Sequence, residues 1–301
     1  MRMTLLGGLL GAALAVPAFA DDVSVQTATG AVTVQAKPGT IAVFDVAAVD
    51  TINALGQKID GLPNKLYVKR LDPVMEAGAV VGTLFEPDFE ALAVMQPDLI
   101  VAGGRSSEQV ENLSQIAPTI DMTIWGDDML DQAHARIAAY GAIFDVEDKA
   151  AALTEELNAK LAEAQRAVEG KGKALILLTN GSKVSAYGRG GRFGWLHSEI
   201  GIEEAAQNVE AETHGEAVSF EFVADINPDW LLVVDRGAAI GADSQAAEAT
   251  LDNPLIAKTT AAQKGQIVYL DAASLYIASG GAGSVLHTLD EVIAAFAGAD
   301  S

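Results

Sequence analysis

The chain has 301 residues, no cysteine, 41 acidic residues against 19 basic ones and a formal net charge of −22. The lack of cysteine excludes disulfides, thiolate metal sites and cysteine nucleophiles together. The acidic balance argues against nucleic acid or anionic lipid as a partner, and the length allows one large domain or two of ordinary size, each with its own core.

Residues 1–20 read as a secretory signal peptide. Arg2 is its positive n-region, Leu5 to Val16 an apolar core too short to span a bilayer, and Ala18-Phe19-Ala20 a small-x-small cleavage site before Asp21. No cysteine follows, so the expectation is a periplasmic protein without a lipid anchor, 281 residues long; losing Arg2 moves its charge to −23.

VTVQA (32–36) and IAVFDV (41–46), around the turn at Pro38-Gly39, are expected to pair as strands. A helix over Val49 to Leu55 ends at Gly56, and the text from Leu66 to Val81 is irregular. Phe89 to Met95 predicts a short helix, after which Pro97-Asp98 opens the strand LIVAGG, ending at Arg105. A helix (Glu108 to Ile116), a strand (Thr119 to Trp125) and a helix (Met129 to Phe144) follow. Glu147 to Gly170 is the most strongly helical text in the chain: Leu153, Leu157, Leu161, Ala164 and Val168 form one apolar stripe, and Gly170 stands where a left-handed cap is easiest. Such a rod is about 33 Å long, enough to bridge two lobes, although a surface helix of one α/β domain fits this segment as well.

After Gly172 the same grammar restarts. ALILLTN is a buried strand and VSAYG a second one, before the loop RGGRFG. Trp195 to Ile200 is helical, a helix begins at Phe220, and Pro228-Asp229 opens WLLVVDR. IVYLD, the glycine-rich SGGAGS and a helix from Val285 to Phe296 close the chain. The expected fold is α/β with two lobes, each a mostly parallel sheet flanked by helices: residues 21–146, the connecting helix 147–170, and residues 171–301. An internal repeat supports two lobes. Phe89-Glu90, Pro97-Asp98 and Arg105 recur as Phe220-Glu221, Pro228-Asp229 and Arg236, each displaced by 131 residues. Each lobe thereby places an arginine at the carboxyl end of a strand, where open α/β sheets bind ligands.

The general plan resembles the periplasmic binding proteins of iron-siderophore and cobalamin ABC importers. Residues 67–105, SAYGRGGRFGWLH, THGEAVSFEF and IVYLDAASLYIASGG resemble the branch that binds ferric catecholate siderophores. The resemblance implies a shallow cleft between lobes and modest closure about a stiff helix. It also implies delivery of cargo to an inner-membrane permease dimer, no enzymatic chemistry, no intrinsic cofactor beyond Fe(III) carried in as the siderophore complex, and a monomer.

Only seven arginines follow residue 20. Arg105, Arg192 and Arg236 match the branch's three pocket arginines, Arg189 is an extra cation in the same glycine-rich loop, and Trp195 directly follows that loop; Trp125 and Trp230 read as packing residues. A planar guanidinium hydrogen-bonds catecholate oxygens and stacks on their rings. GRGGRFG is not a nucleotide-binding motif, since no Lys-Ser/Thr follows. His214 and Tyr276 match the branch's two direct iron ligands, with His197 a weaker candidate. In the wider family an acidic residue on each lobe docks against the permease, and Glu90 and Glu221 stand in that relation here, with Glu86 near Glu90. Bland readings stay open: surface ion pairs for the arginines, a loop histidine and a tucked aromatic for His214 and Tyr276, and helix N-terminal carboxylates for the two glutamates. So do a haem, cobalamin or hydroxamate ligand, a sequestering protein without a permease, and a hydrolase using His214 on an anionic substrate.

Overall fold

The computed structural model describes residues 22–126, 128–207, 209 and 215–298. Strands β1 (Asp22–Thr27) and β2 (Gly30–Gln35) form an antiparallel hairpin. The expected pairing of 32–36 with 41–46 therefore does not form. The β2 strand pairs upstream, and Ile41–Val43 enters a different sheet because the Asp98 carboxylate accepts the amides of Gly39 and Thr40, both at 2.8 Å, and steers the chain alongside the strand that Asp98 introduces.

That sheet contains β3 (Ile41–Val43), β4 (Gly61–Leu62), β5 (Ala79–Val80), β6 (Leu99–Ala102) and β7 (Thr119–Asp121), in the order β5-β4-β3-β6-β7, all parallel. Both faces are covered: Ile41, Val43, Leu99 and Val101 join one core cluster, while Ala42, Phe44, Ile100 and Ala102 join another. The second lobe holds β8 (Lys173–Asn180), β9 (Lys183–Tyr187), β10 (Glu203–Glu204), β11 (Glu216–Val218), β12 (Trp230–Asp235) and β13 (Ile267–Tyr269), in the order β11-β9-β8-β12-β13 with β10 beside the start of β8. Here β9 runs antiparallel to both neighbours. Only Gly181 and Ser182 separate it from β8, with Gly181 at φ 57°, and a connection that short can make only a hairpin.

The repeat is carried by matching local devices. Helices Phe89–Met95 and Phe220–Ile226 are capped by Asp88 and Ser219 and end on left-handed Gln96 (φ 52°) and Asn227 (φ 49°). Pro-Asp then opens β6 or β12. As Asp98 does at β3, Asp229 accepts the amide of Lys173 at the start of β8, at 2.9 Å. Both strands lie fourth in their sheets and deliver their arginines to the same end of the molecule.

Helix Met129–Phe144 has the predicted bounds, and the connecting helix spans Glu147–Val168 with Ala150, Leu153, Leu157, Ala164 and Val168 buried. The two cross closely: a Cβ at Gly141 would lie 2.6 Å from that of Ala150. The C-terminal helix Ala282–Ala297 packs along the connecting helix and also meets helix Val46–Ala54 of the first lobe. There Asp50, 1 % exposed, pairs with both terminal nitrogens of Arg70 and accepts the amide of Ser284 at 2.6 Å, while Arg70 also donates to the Ser284 hydroxyl. The lobes are thus tied by a second buried junction besides the connecting helix. Where a single helix over 108–116 was predicted, the chain instead makes a 3₁₀ stretch (Gly104–Gln109) and one helical turn (Val110–Leu113). Within the irregular stretch 66–81 it forms a short helix, Asp72–Ala77.

Candidate functional site

Both sheets end at a cleft of about 800 Å³ between the lobes. Arg105 follows β6, Arg236 follows β12, and Arg192 sits in the glycine loop after β9, whose tightness is set at Gly194: a Cβ there would lie 1.9 Å from the Arg189 carbonyl oxygen. Tyr276, the last residue of helix Ala272–Tyr276, occupies the centre of the group. The guanidinium carbons of Arg192, Arg105 and Arg236 lie 4.6, 5.4 and 5.9 Å from its ring centre. Arg236 donates from Nε to the Tyr276 hydroxyl at 3.3 Å, and Arg105 donates to the Tyr276 carbonyl at 3.0 Å, crossing from one lobe to the other.

This crowding shapes the acid–base chemistry. Burial raises the Tyr276 hydroxyl, but the Arg236 hydrogen bond and the fields of Arg192, Arg236 and Arg105 outweigh it, so the phenol ionises below its usual value. Burial, then the charge of Arg192, lowers Arg105. One Arg192 nitrogen, Nη1, is buried with no hydrogen-bond partner among the described residues, leaving a donor to be satisfied. Asp45, which caps helix Val46–Ala54 and lines the cleft, is pushed up to about 6. Burial is the main cause, opposed by the amides of Ala48 and Ala47 and by Arg105.

Not every expected residue belongs to this group. Trp195 is a correction: it is only 5 % exposed, packs in the core and does not line the cleft. The apolar side chains on either side of Trp195, Phe193 within the loop and Leu196 after it, are fully buried and hold that turn inward. Trp125 is a second correction: expected to pack, it is instead 52 % exposed, lines the cleft and has the Arg192 guanidinium 5.1 Å from its ring centre. Trp230 is buried as expected, bonded through its indole to the Lys171 carbonyl. Arg189 does not line the cleft and pairs with Glu204 at 3.2 Å. His197 is buried, bonded to the Ile202 carbonyl at 2.8 Å, and burial lowers its pKa, as suits a packed histidine. His214 lies outside the described residues. Glu90 and Glu221 are exposed at the first turns of the two repeat helices, and its own amide together with the Ser219 hydroxyl holds Glu221 below the usual carboxylate range. The sequence reading missed Asp45 and Tyr67 in the cleft. The strand-end rule that singled out Arg105 would also have reached Asp45, two residues beyond β3.

Residues 41–273 match the periplasmic binding protein family. The chain belongs to that family. Among curated relatives, the petrobactin-binding protein YclQ of Bacillus subtilis is 34% identical over 259 residues, covering 85% of this chain and 81% of the relative. The ferric-anguibactin-binding protein FatB of Vibrio anguillarum is 27% identical, covering 88% of this chain and 84% of its own. The solved structure of the periplasmic catecholate-siderophore binding protein VctP from Vibrio cholerae superposes with a TM-score of 0.83 at 28% identity, over 91% of this chain and 100% of that one. The crystal structure of YclQ gives 0.86 over 92% of this chain and 99% of that one, with 32% identity. The two-lobed α/β architecture is therefore that of the family.

Proposed function

We propose that this chain captures a ferric siderophore of the catecholate class in the periplasm and hands it to an inner-membrane ABC permease, without chemistry of its own. The observation that carries the reading is the convergence of Arg105, Arg192 and Arg236 from both lobes on one tyrosine. Three guanidinium groups in a half-buried cleft suit an anionic, aromatic, oxygen-rich guest, and at an effective dielectric of about 20 each unit pair at 4 Å contributes roughly 4 kcal/mol before desolvation is subtracted. A neutral or weakly charged guest such as cobalamin or a hydroxamate complex has less use for them. The names of the relatives agree: one binds petrobactin, one ferric anguibactin and one a catecholate siderophore.

Fe(III) enters here as cargo. Tyr276, with its lowered pKa, is the phenolate donor we assign to it, and His214 is the second donor implied by the resemblance. Glu90 and Glu221 are assigned to permease docking, residues 1–20 to export, and the working form to a monomer.

The test is tryptophan fluorescence titration with a ferric bis-catecholate, a ferric hydroxamate, haem and cobalamin in parallel. Saturable quenching by the bis-catecholate is expected, most of it lost in Trp125→Phe because Trp125 is the tryptophan in the cleft. A response to haem or cobalamin with none to the catecholate would overturn the ligand class.

A further inference from the structure

Six non-glycine residues among those described have positive φ. Five have a local explanation. Gln96, Asp145 and Asn227 end helices, Asp128 precedes one, and Lys37 lies in the turn with Pro38 and Gly39. The sixth, Tyr67 at φ 69°, is an aromatic residue two positions before the short 3₁₀ turn Lys69–Leu71 and outside its Val68 cap, and a bulky side chain pays a steric penalty in the left-handed region. Such an outlier argues for a function held in place by its surroundings.

The surroundings are specific. Leu66 and Val68, both 3 % exposed, anchor the chain on either side, so the backbone reversal between them sets the Tyr67 ring at the edge of the core, partly buried against it and forming part of the cleft wall. Lys65 then holds the ring from one face, its ammonium 4.4 Å from the ring centre. The same ammonium reaches the carbonyl of Ile240 in the other lobe at 3.4 Å, and Ile240 itself lines the cleft. Tyr67 also lies close enough to Arg105 to act on its charge.

Resting on the catecholate reading above, we propose that Tyr67 is a ligand-contacting residue, the first lobe's aromatic counterpart to Tyr276, with Lys65 fixing its orientation and spanning the cleft edge. The part of its ring that lines the cleft packs on a bound catecholate ring, and its hydroxyl donates to a catecholate oxygen. Tyr276 meets the ferric complex from the second lobe and Tyr67 meets its ligand shell from the first, so recognition depends on both lobes.

The experiment measures the affinity of Tyr67→Gly and Tyr67→Phe for a ferric bis-catecholate by fluorescence titration, with thermal unfolding alongside. Glycine relieves the backbone conformation while removing the ring, so a purely structural Tyr67 predicts altered melting with unaltered affinity. The inference predicts an affinity loss of at least tenfold in Tyr67→Gly with the melting temperature within a few degrees of the parent, and a smaller loss in Tyr67→Phe, which keeps the ring. If Tyr67→Gly does not fold, Tyr67→Asn, a residue at ease at positive φ, takes its place with the same expectation. A folded Gly or Asn variant that loses less than tenfold in affinity overturns the inference and leaves the catecholate reading standing. Failure of the unsubstituted protein to bind the complex overturns both.

Discussion

Tyr276 and Asp45 are displaced in opposite senses within one cleft, and each displacement has a measurable consequence. In the coordination proposed above Tyr276 serves as a phenolate, so binding would release its proton, and a pKa below the ordinary value near 10 reduces the cost of that release at neutral pH. Affinity for a ferric bis-catecholate should rise with pH until Tyr276 is ionised and then level. Tyr276→Phe should remove that part of the pH dependence and weaken binding by at least about 10-fold. Titration of both proteins at several pH values checks this; an unchanged pH profile would take Tyr276 out of the coordination shell. Asp45 is the converse case. Its folded pKa, about 6, exceeds its unfolded value, so the native state holds the proton more tightly. Stability is complete below the unfolded value and declines as pH rises through 6. Asp45→Asn keeps an N-cap acceptor for Ala48 but cannot ionise. It should therefore match the parent near pH 4 and exceed it at pH 7 by about 2 kcal/mol. Urea unfolding at the two pH values decides it, and an equal difference at both would show that ionisation is not the cause.

Among the elements, legibility followed length and locality. Met129–Phe144 and the connecting helix were readable because several turns of periodic apolar residues leave little choice, and Phe89–Met95 because Asp88 and Pro97 bracket it. The two-residue strands β4 and β5 have no period to read. The partner of β2 depended on Asp98, some sixty residues away, acting on Gly39 and Thr40. The site divides in the same way. Arg105 and Arg236 stood out through the repeat, whereas Tyr67 and Trp125 reach the cleft through a backbone reversal and a loop that no local pattern announces. The repeat itself offers a comparison, because its two helix ends use different residues in the same left-handed conformation. Glutamine pays more for that conformation than asparagine, whose short side chain tolerates it. Gln96→Gly should accordingly stabilise the protein by about 0.5–1 kcal/mol, whereas Asn227→Gly should destabilise it, because the Asn227 side chain also accepts the Thr260 amide at 2.7 Å. Urea midpoints report both, and the reverse order would mean that neither effect governs these turns.

At the scale of the whole molecule, two features bear on transport. The first is stiffness: the connecting helix and the Asp50–Arg70–Ser284 junction tie the lobes at separate places, and Asp50→Ala should cost about 3 kcal/mol in urea unfolding by stranding Arg70 and the first amides of the C-terminal helix. The second is the outward charge. A chain of net charge −22 keeps three arginines for its cleft and presents Glu90 and Glu221 on matching helices of the two lobes. A pseudo-symmetric pair of carboxylates suits a two-fold partner bearing cations, and rim charges of this kind act on encounter and register more than on fold. Glu90→Arg with Glu221→Arg should lower the urea midpoint only slightly, because both side chains are exposed and only the first-turn contacts of Glu221 are lost. Affinity for the ferric complex is measured alongside, because Glu90 lies off the cleft but Glu221 borders a neighbouring cavity that shares Arg236 and Tyr276 with it. Uptake of iron supplied as that complex should fall to the level of cells lacking the protein. The comparison needs equal amounts of the two proteins in the periplasm and radio-iron uptake over the same interval. Uptake at the parent rate would move the docking surface elsewhere, and the exposed Phe85, Phe89 and Glu86 beside Glu90 would be the next residues to reverse or truncate.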